Sequence, residues 1–275
     1  MNMSKIAVFI PKVAVVGVLF LTLHATTAIA QVTETFDIIS TSGKIIDKRS
    51  GQELQIGDKV NLQTELEFNS LHDRAVLLNS NRAKYYLELP RASLVSEQLI
   101  VSSSLALTPV RSRPALITGT RGALTIDGLS PQNLRRYFEV DTFTIIGDKF
   151  TIPVLNRDRD RFDLLLKYES ETSIEEFLSP DFVIYRDKLK FQGRGISECF
   201  ILLVEGDRSA PVTQLSLFFV EKEQLFAEFD ALLNAFSQCK SDNTTRDVLR
   251  QYSFDVHGKI DRNSLDAAIN EFLGL

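Results

Sequence analysis

Apolar positions along this chain fall into three patterns. Residues 13–23 form one short apolar run, interrupted only by Gly17 and Thr22. From 37 to about 220 the period is two, the spacing of strands that bury alternate residues. In the first stretch, Ile38-Ile39, Lys44-Ile45-Ile46, Glu53-Leu54-Gln55-Ile56, Val60 with Leu62, and Glu65-Leu66-Glu67-Phe68 predict short strands. Ala75-Val76-Leu77-Leu78 reads as a strand buried on both faces, and Tyr85-Tyr86-Leu87-Glu88-Leu89 as a further strand. Residues 99–107 predict another. After 139 strands return at 142–146, 150–155, 162–168, 182–185, 189–191, 200–204 and 215–220. Beyond 221 the period becomes helical: Leu225, Phe226, Phe229, Leu232, Leu233 and Phe236 form one wide stripe. That stripe is expected to pack on the second sheet or the following helices, with a partner-binding helix as the alternative. Residues 243–252 predict a second helix. Leu265, Ile269, Phe272 and Leu273 predict a third, capped near Asp261 and stopped by Gly274.

Between the two strand-rich stretches, Pro109, Pro114, Gly119, Gly122 and Gly128 break regular structure over 108–128. Ser130-Pro131 then fits a helix start, with Ser as N-cap and Pro at the first helical position. The fold class that follows is mainly β with C-terminal α: two small β-sandwich- or barrel-like units plus a helical cap. The expected segments are 1–30, 31–108, 109–138, 139–220 and 221–275.

The first segment reads as an export signal. Lys5 and Lys12 precede the apolar run, and Ala28 and Ala30 form an A-x-A pair before an expected cleavage after Ala30. The run is too short to cross a bilayer of roughly 30 Å as a helix, and no later stretch is long and apolar enough. The expectation is a periplasmic or secreted chain without a transmembrane segment after cleavage. Removing the signal takes two Lys and His24, leaving 29 basic against 36 acidic residues, net −7, with His72 and His257 as the remaining His. An acidic chain disfavours nucleic acid as a partner. Two Cys and two His leave little for a metal cage, so neither metal nor cofactor is expected.

The strand pattern of the first stretch carries a family resemblance. Gly43-Lys44-Ile45-Ile46, Gly51, Leu54, Gly57-Asp58-Lys59-Val60, Thr64-Glu65-Leu66-Glu67-Phe68 and Asp73-Arg74-Ala75-Val76-Leu77-Leu78 are similar to the extracytoplasmic FecR-type domain over residues 40–90. The whole chain also resembles secreted proteins of the Bacteroidota type. The resemblance implies a β-rich envelope module used in scaffolding or signal reception, and transfers no catalytic residue.

Candidate chemistry is sparse. Cys199 sits in a strand-like run and Cys239 ends a helix-like one. In an oxidising compartment they can bridge, or each can stay a buried thiol. Arg111, Arg113 and Arg121 bring three guanidinium groups to a segment with few acids; Arg matches carboxylate or phosphate bidentately, so this is the expected ligand or partner contact. Ser253 to Asp261 has calcium-loop spacing around Gly258, but Ser stands where strong carboxylate ligands are needed, and a Gly turn between two helices explains it. Arg157-Asp158-Arg159-Asp160-Arg161 reads as a solvated hairpin tip, and Glu175-Glu176 as part of a helical turn. No G-x-S-x-G or H-E-x-x-H occurs. The expectation is a non-catalytic interaction or scaffold protein of the bacterial envelope with an envelope protein or glycan partner. A glycan- or peptidoglycan-binding module is the alternative, and a hydrolase a distant third.

Overall fold

The computed structural model describes residues 34–275 apart from 72, 91–98, 111–125, 127, 171–172, 192–194 and 237–241. Residues 35–275 cluster as one compact unit. The described residues are mainly β, in four sheets, with a helical C-terminal part. The N-terminal strands are β1 (Thr35–Ser42), β2 (Ile45–Asp47), β3 (Gln52–Glu53), β4 (Lys59–Asn61), β5 (Glu65–Phe68), β6 (Arg74–Asn79), β7 (Lys84–Glu88), β8 (Ile100–Ser102) and β9 (Leu107–Pro109). They form a five-stranded sheet in the order β4-β1-β6-β7-β9 and a four-stranded sheet in the order β3-β2-β5-β8. The strand expected over 99–107 is in fact split: a single helical turn, α1 (Ser103–Ala106), carries the chain from one sheet to the other.

Phe36, Ile38, Val60, Leu77 and Leu87 from the larger sheet meet Ile45, Leu66, Phe68 and Val101 from the smaller one in a shared core. The larger sheet is covered on its other face too. Ile39, Val76 and Leu78 join Leu225, Phe229, Leu232, Leu249, Tyr252 and Ile269 of the C-terminal helices in a second core. This double burial explains the unbroken apolar run of β6.

The second half builds on a six-stranded sheet. Its strands are β10 (Thr142–Ile146), β12 (Asp163–Glu169), β13 (Ile174–Ser179), β15 (Gly195–Glu205), β16 (Arg208–Val220) and β17 (Lys259–Ile260), in the order β13-β12-β15-β16-β10-β17. Strand β10 runs parallel to both β16 and β17, so the sheet is mixed. A small pair, β11 (Lys149–Thr151) with β14 (Val183–Tyr185), stands beside it. Helix α2 (Pro131–Phe138) begins as its sequence prescribes, the Ser130 Oγ accepting from the Asn133 amide at 3.2 Å. Its Leu134 and Phe138 pack into the core under this sheet. The alternating Arg/Asp run is no hairpin tip. It contributes to a single helical turn, α3 (Asn156–Arg159), where Asp158 accepts from the Leu129 amide and Arg161 pairs with Glu205. Residues 189–191 form no strand; a 3₁₀ turn at Arg186–Lys188 precedes them, and Leu189 packs into the core.

Three helices close the chain: α4 (Lys222–Ala235), α5 (Asp242–His257) and α6 (Arg262–Leu273). The stripe of α4 packs on α5 and α6, one of its two expected seats, and also on the N-terminal sheet; Val220, Ile260 and the partly buried Ile146 of the six-stranded sheet share that core. Asp261 caps α6 through the Ser264 amide at 2.9 Å, and Gly274 ends it in the left-handed conformation. Gly258, at φ +77°, turns the chain from α5 into β17. Among the described residues no helix is long and apolar enough to cross a membrane.

A Cβ at Gly258 would stand 3.1 Å from the Thr142 side chain while the backbone stays left-handed. Gly258→Ala is therefore expected to cost about 1–2 kcal/mol, read as a lower urea midpoint with an unchanged denaturant slope.

Candidate functional site

Two places concentrate polar chemistry or unburied apolar surface. The first is a sealed junction where both sheets meet the helices. Glu228 lies within the apolar stripe of α4, and its side chain and that of His257 have 0% exposure. Burying a carboxylate is costly unless its lone pairs are filled, and here each oxygen takes two donors. Oε1 accepts from Ser40 Oγ at 2.6 Å and Gln224 Nε2 at 3.1 Å. Oε2 accepts from His257 Nε2 at 2.7 Å and Tyr252 OH at 3.0 Å. A carboxylate facing Nε2 places the imidazole proton on that nitrogen.

The donors come from separate elements for local reasons. The β1–β6 register shifts between Ile38 and Ser40; such a bulge re-aims a side chain, and Ser40 is turned toward the helices. Tyr252 and His257 sit on α5. The carbonyl of His257 in turn accepts from Thr144 Oγ1 of β10 at 2.5 Å. Burial alone would raise the Glu228 carboxyl, but the charge and hydrogen bond of His257, with those of Ser40 and Tyr252, hold it below its ordinary value.

A second fastening lies alongside. Lys84 of β7 pairs with the fully buried Asp255 carboxylate of α5, which Gln251 also engages at 2.8 Å, and Tyr86 OH donates to the Asp255 carbonyl at 3.0 Å. At the far end of α2, Tyr137 OH donates to Asp261 at 2.8 Å and Lys259 donates to the Tyr137 carbonyl. Burial, then Asp261, raises the Tyr137 hydroxyl, while burial lowers the Lys259 ammonium. These groups join elements and leave no approach for a substrate at Glu228 or His257. The calcium-like spacing around Gly258 does not form a loop: Ser253 and Asp255 are on helix α5, and Asp261 is a cap. Among the described residues no group of three or more His, Cys, Asp or Glu is placed to hold a metal.

The second place is the outer face of the six-stranded sheet. Strand register arranges it in rows. Leu178, Leu165, Leu202 and Pro211 lie in one row across four strands. Glu176, Lys167, Phe200 and Gln214 form the next, with a Lys167–Glu176 ion pair at 2.6 Å. Ile174 and Glu169 follow, paired across β13 and β12; Glu198, exposed on β15, lies next to the last β12–β15 pair, Tyr168 with Cys199. Exposure is 76% at Ile174, 52% at Leu178 and 47% at Phe200. A groove of about 680 Å³ runs over part of this face, lined by Glu169, Glu198, Phe200, Leu202 and Pro211 but not by Leu165 or Leu178. Glu175-Glu176, expected on a helical turn, are strand residues facing opposite sides; Glu175 pairs with Lys190 at 2.9 Å.

Cys199 is a free, buried thiol on the inner face of β15, and burial pushes it up to about 12. Cys239, the other half of the possible bridge, lies outside the described residues. Arg111, Arg113, Arg121 and His72 also lie outside them. Comparison with family models, with curated proteins and with solved structures finds no match. Sequence reading passed over Glu228, whose signal was visible: a lone acid spaced three after Leu225 and four before Leu232 in an apolar stripe.

Glu228→Ala is expected to cost about 3–5 kcal/mol, because buried donors lose their acceptor. Since the folded Glu228 titrates below its ordinary 4.5, its contribution is complete above that pH and fades as pH falls through the folded value. Glu228→Gln should lower stability at pH 7 and flatten the acid limb, measured by urea melts across roughly pH 3–7. In a Cys239→Ser background, a thiol reagent should leave Cys199 unlabelled in the native protein and label it in urea; labelling in the folded state would contradict its burial.

Proposed function

We propose that this chain is a non-catalytic interaction or scaffold protein of the bacterial cell envelope, exported by a signal segment cleaved near Ala30. The observation that carries this reading is the open apolar face around Leu178, Phe200 and Ile174. Exposed apolar side chains gathered on one uncovered sheet face, here around the Lys167–Glu176 ion pair, are a usual mark of a partner site. The charge and hydrogen-bonding groups that could do chemistry, Glu228 and His257, are instead spent inside the protein. The Lys-flanked apolar run and the A-x-A pair support export, and the Gly-turn strand pattern of 40–90 supports a FecR-like envelope module.

The test is expression of the tagged full chain, fractionation and crosslinked capture from the envelope. The expected outcome is a cleaved N-terminus at Gln31 and a stoichiometric protein partner. Retention on insoluble cell wall in place of a protein would turn the reading toward glycan binding. No partner, together with a hydrolytic activity lost on deletion, would overturn it.

A further inference from the structure

The geometry points to one kind of occupant for the outer face of the six-stranded sheet: an amphipathic helix of a partner protein, apolar on one side and basic on one flank. This rests on the interaction reading above and gives the partner its chemistry. The row Leu178, Leu165, Leu202 and Pro211 crosses four strands, about 14 Å at the usual strand spacing. A helix rising about 1.5 Å per residue covers that row with roughly ten residues, three turns. Its apolar stripe would seat on this row and on Phe200, which a charged or polar surface would leave unmatched.

The charges set the flank. Glu169 and Glu198 stand on facing strands at the same end of the groove, exposed and without an ion-pair partner among the described residues. Like charges on neighbouring strands that line one groove repel, and a Lys or Arg brought between them relieves that. The neighbouring Lys167 is already committed to Glu176. Arg135, from α2, also lines the groove and stands toward β16, which α2 packs against; it directs the basic flank to the β12–β15 end. A second copy of this chain fits less well. An in-plane two-fold along the strands sets carboxylates on carboxylates, and one across the strands sets them on leucines.

The probe is a labelled Leu/Lys peptide of about fourteen residues patterned as an amphipathic helix, titrated into the purified full chain, with a Leu/Glu peptide of the same pattern as control. The Leu/Lys peptide should bind, gain helicity and weaken with salt; the Leu/Glu peptide should not bind. Glu169→Gln with Glu198→Gln should weaken binding about tenfold, and Leu178→Thr with Phe200→Thr should abolish it, both with melting curves checked for intact folding. Equal binding by both peptides, or binding indifferent to these variants, overturns the proposal. So does a concentration-dependent dimer that the Leu178→Thr, Phe200→Thr variant dissolves. Envelope capture separates the two levels: a partner retained equally by the surface variants sinks this face and leaves the interaction reading standing. Peptide binding as expected, with no partner captured by the wild type, does the reverse.

Discussion

One carboxylate fixes how the parts of this protein meet. Glu228 lies where water cannot reach it, so its four hydrogen bonds must all come from protein. Those donors belong to β1, α4 and α5, and the His257 carbonyl extends the chain to β10. The surrounding apolar cluster supplies driving force without direction. Hydrogen bonds to a buried charge supply direction, because any sliding of α4 or α5 against the first sheet leaves an unfilled donor or acceptor. The Lys84–Asp255 pair repeats the device two strands across the sheet, on β7.

That junction also explains the contrast between the two sheets. The five-stranded sheet is sealed on one face by the four-stranded sheet and on the other by α4, α5 and α6. The helices used there are not free to cover the six-stranded sheet. Its inner face holds the largest core, built with α2 and the β11–β14 pair. Its outer face keeps leucines and a phenylalanine in water. Closure of one sheet and openness of the other are two results of the same placement of the C-terminal helices.

Much of this architecture was legible in the sequence. Alternation located β5 and β7, and the apolar runs Ile38-Ile39 and Ala75-Val76-Leu77-Leu78 located β1 and β6. Ser130-Pro131 located the start of α2, and Asp261 and Gly274 bracketed α6, because local capping chemistry needs only local residues. What could not be read was long-range. Nothing local says that β10 runs parallel to β16 and β17, or that the stripe of α4 faces the N-terminal sheet. Glu175-Glu176 misled because adjacent acids suit an exposed helix as well as an edge strand, and ladder pairing to β12 decided between them. Phe200 reads as an ordinary strand residue, while the strand of Ile174 and Leu178 was not read at all; only the ladder to β12 and β15 sets all three on the uncovered side. Glu228 was visible as a misfit, but its partners are distant in sequence, and Ser40 is aimed at it by a bulge.

The covering of Ile39, Val76 and Leu78 has a consequence in time. Their partners on α4, α5 and α6 lie in the last fifth of the sequence. As the ribosome releases the chain, the first sheet can pair its strands early yet keeps one greasy side bare until α4, α5 and α6 have been made. Such late, non-local contacts are slow to form and leave intermediates prone to aggregate. Until then the newborn chain holds a half-wrapped sheet, and α4, α5 and α6 act as the closing flap of the package.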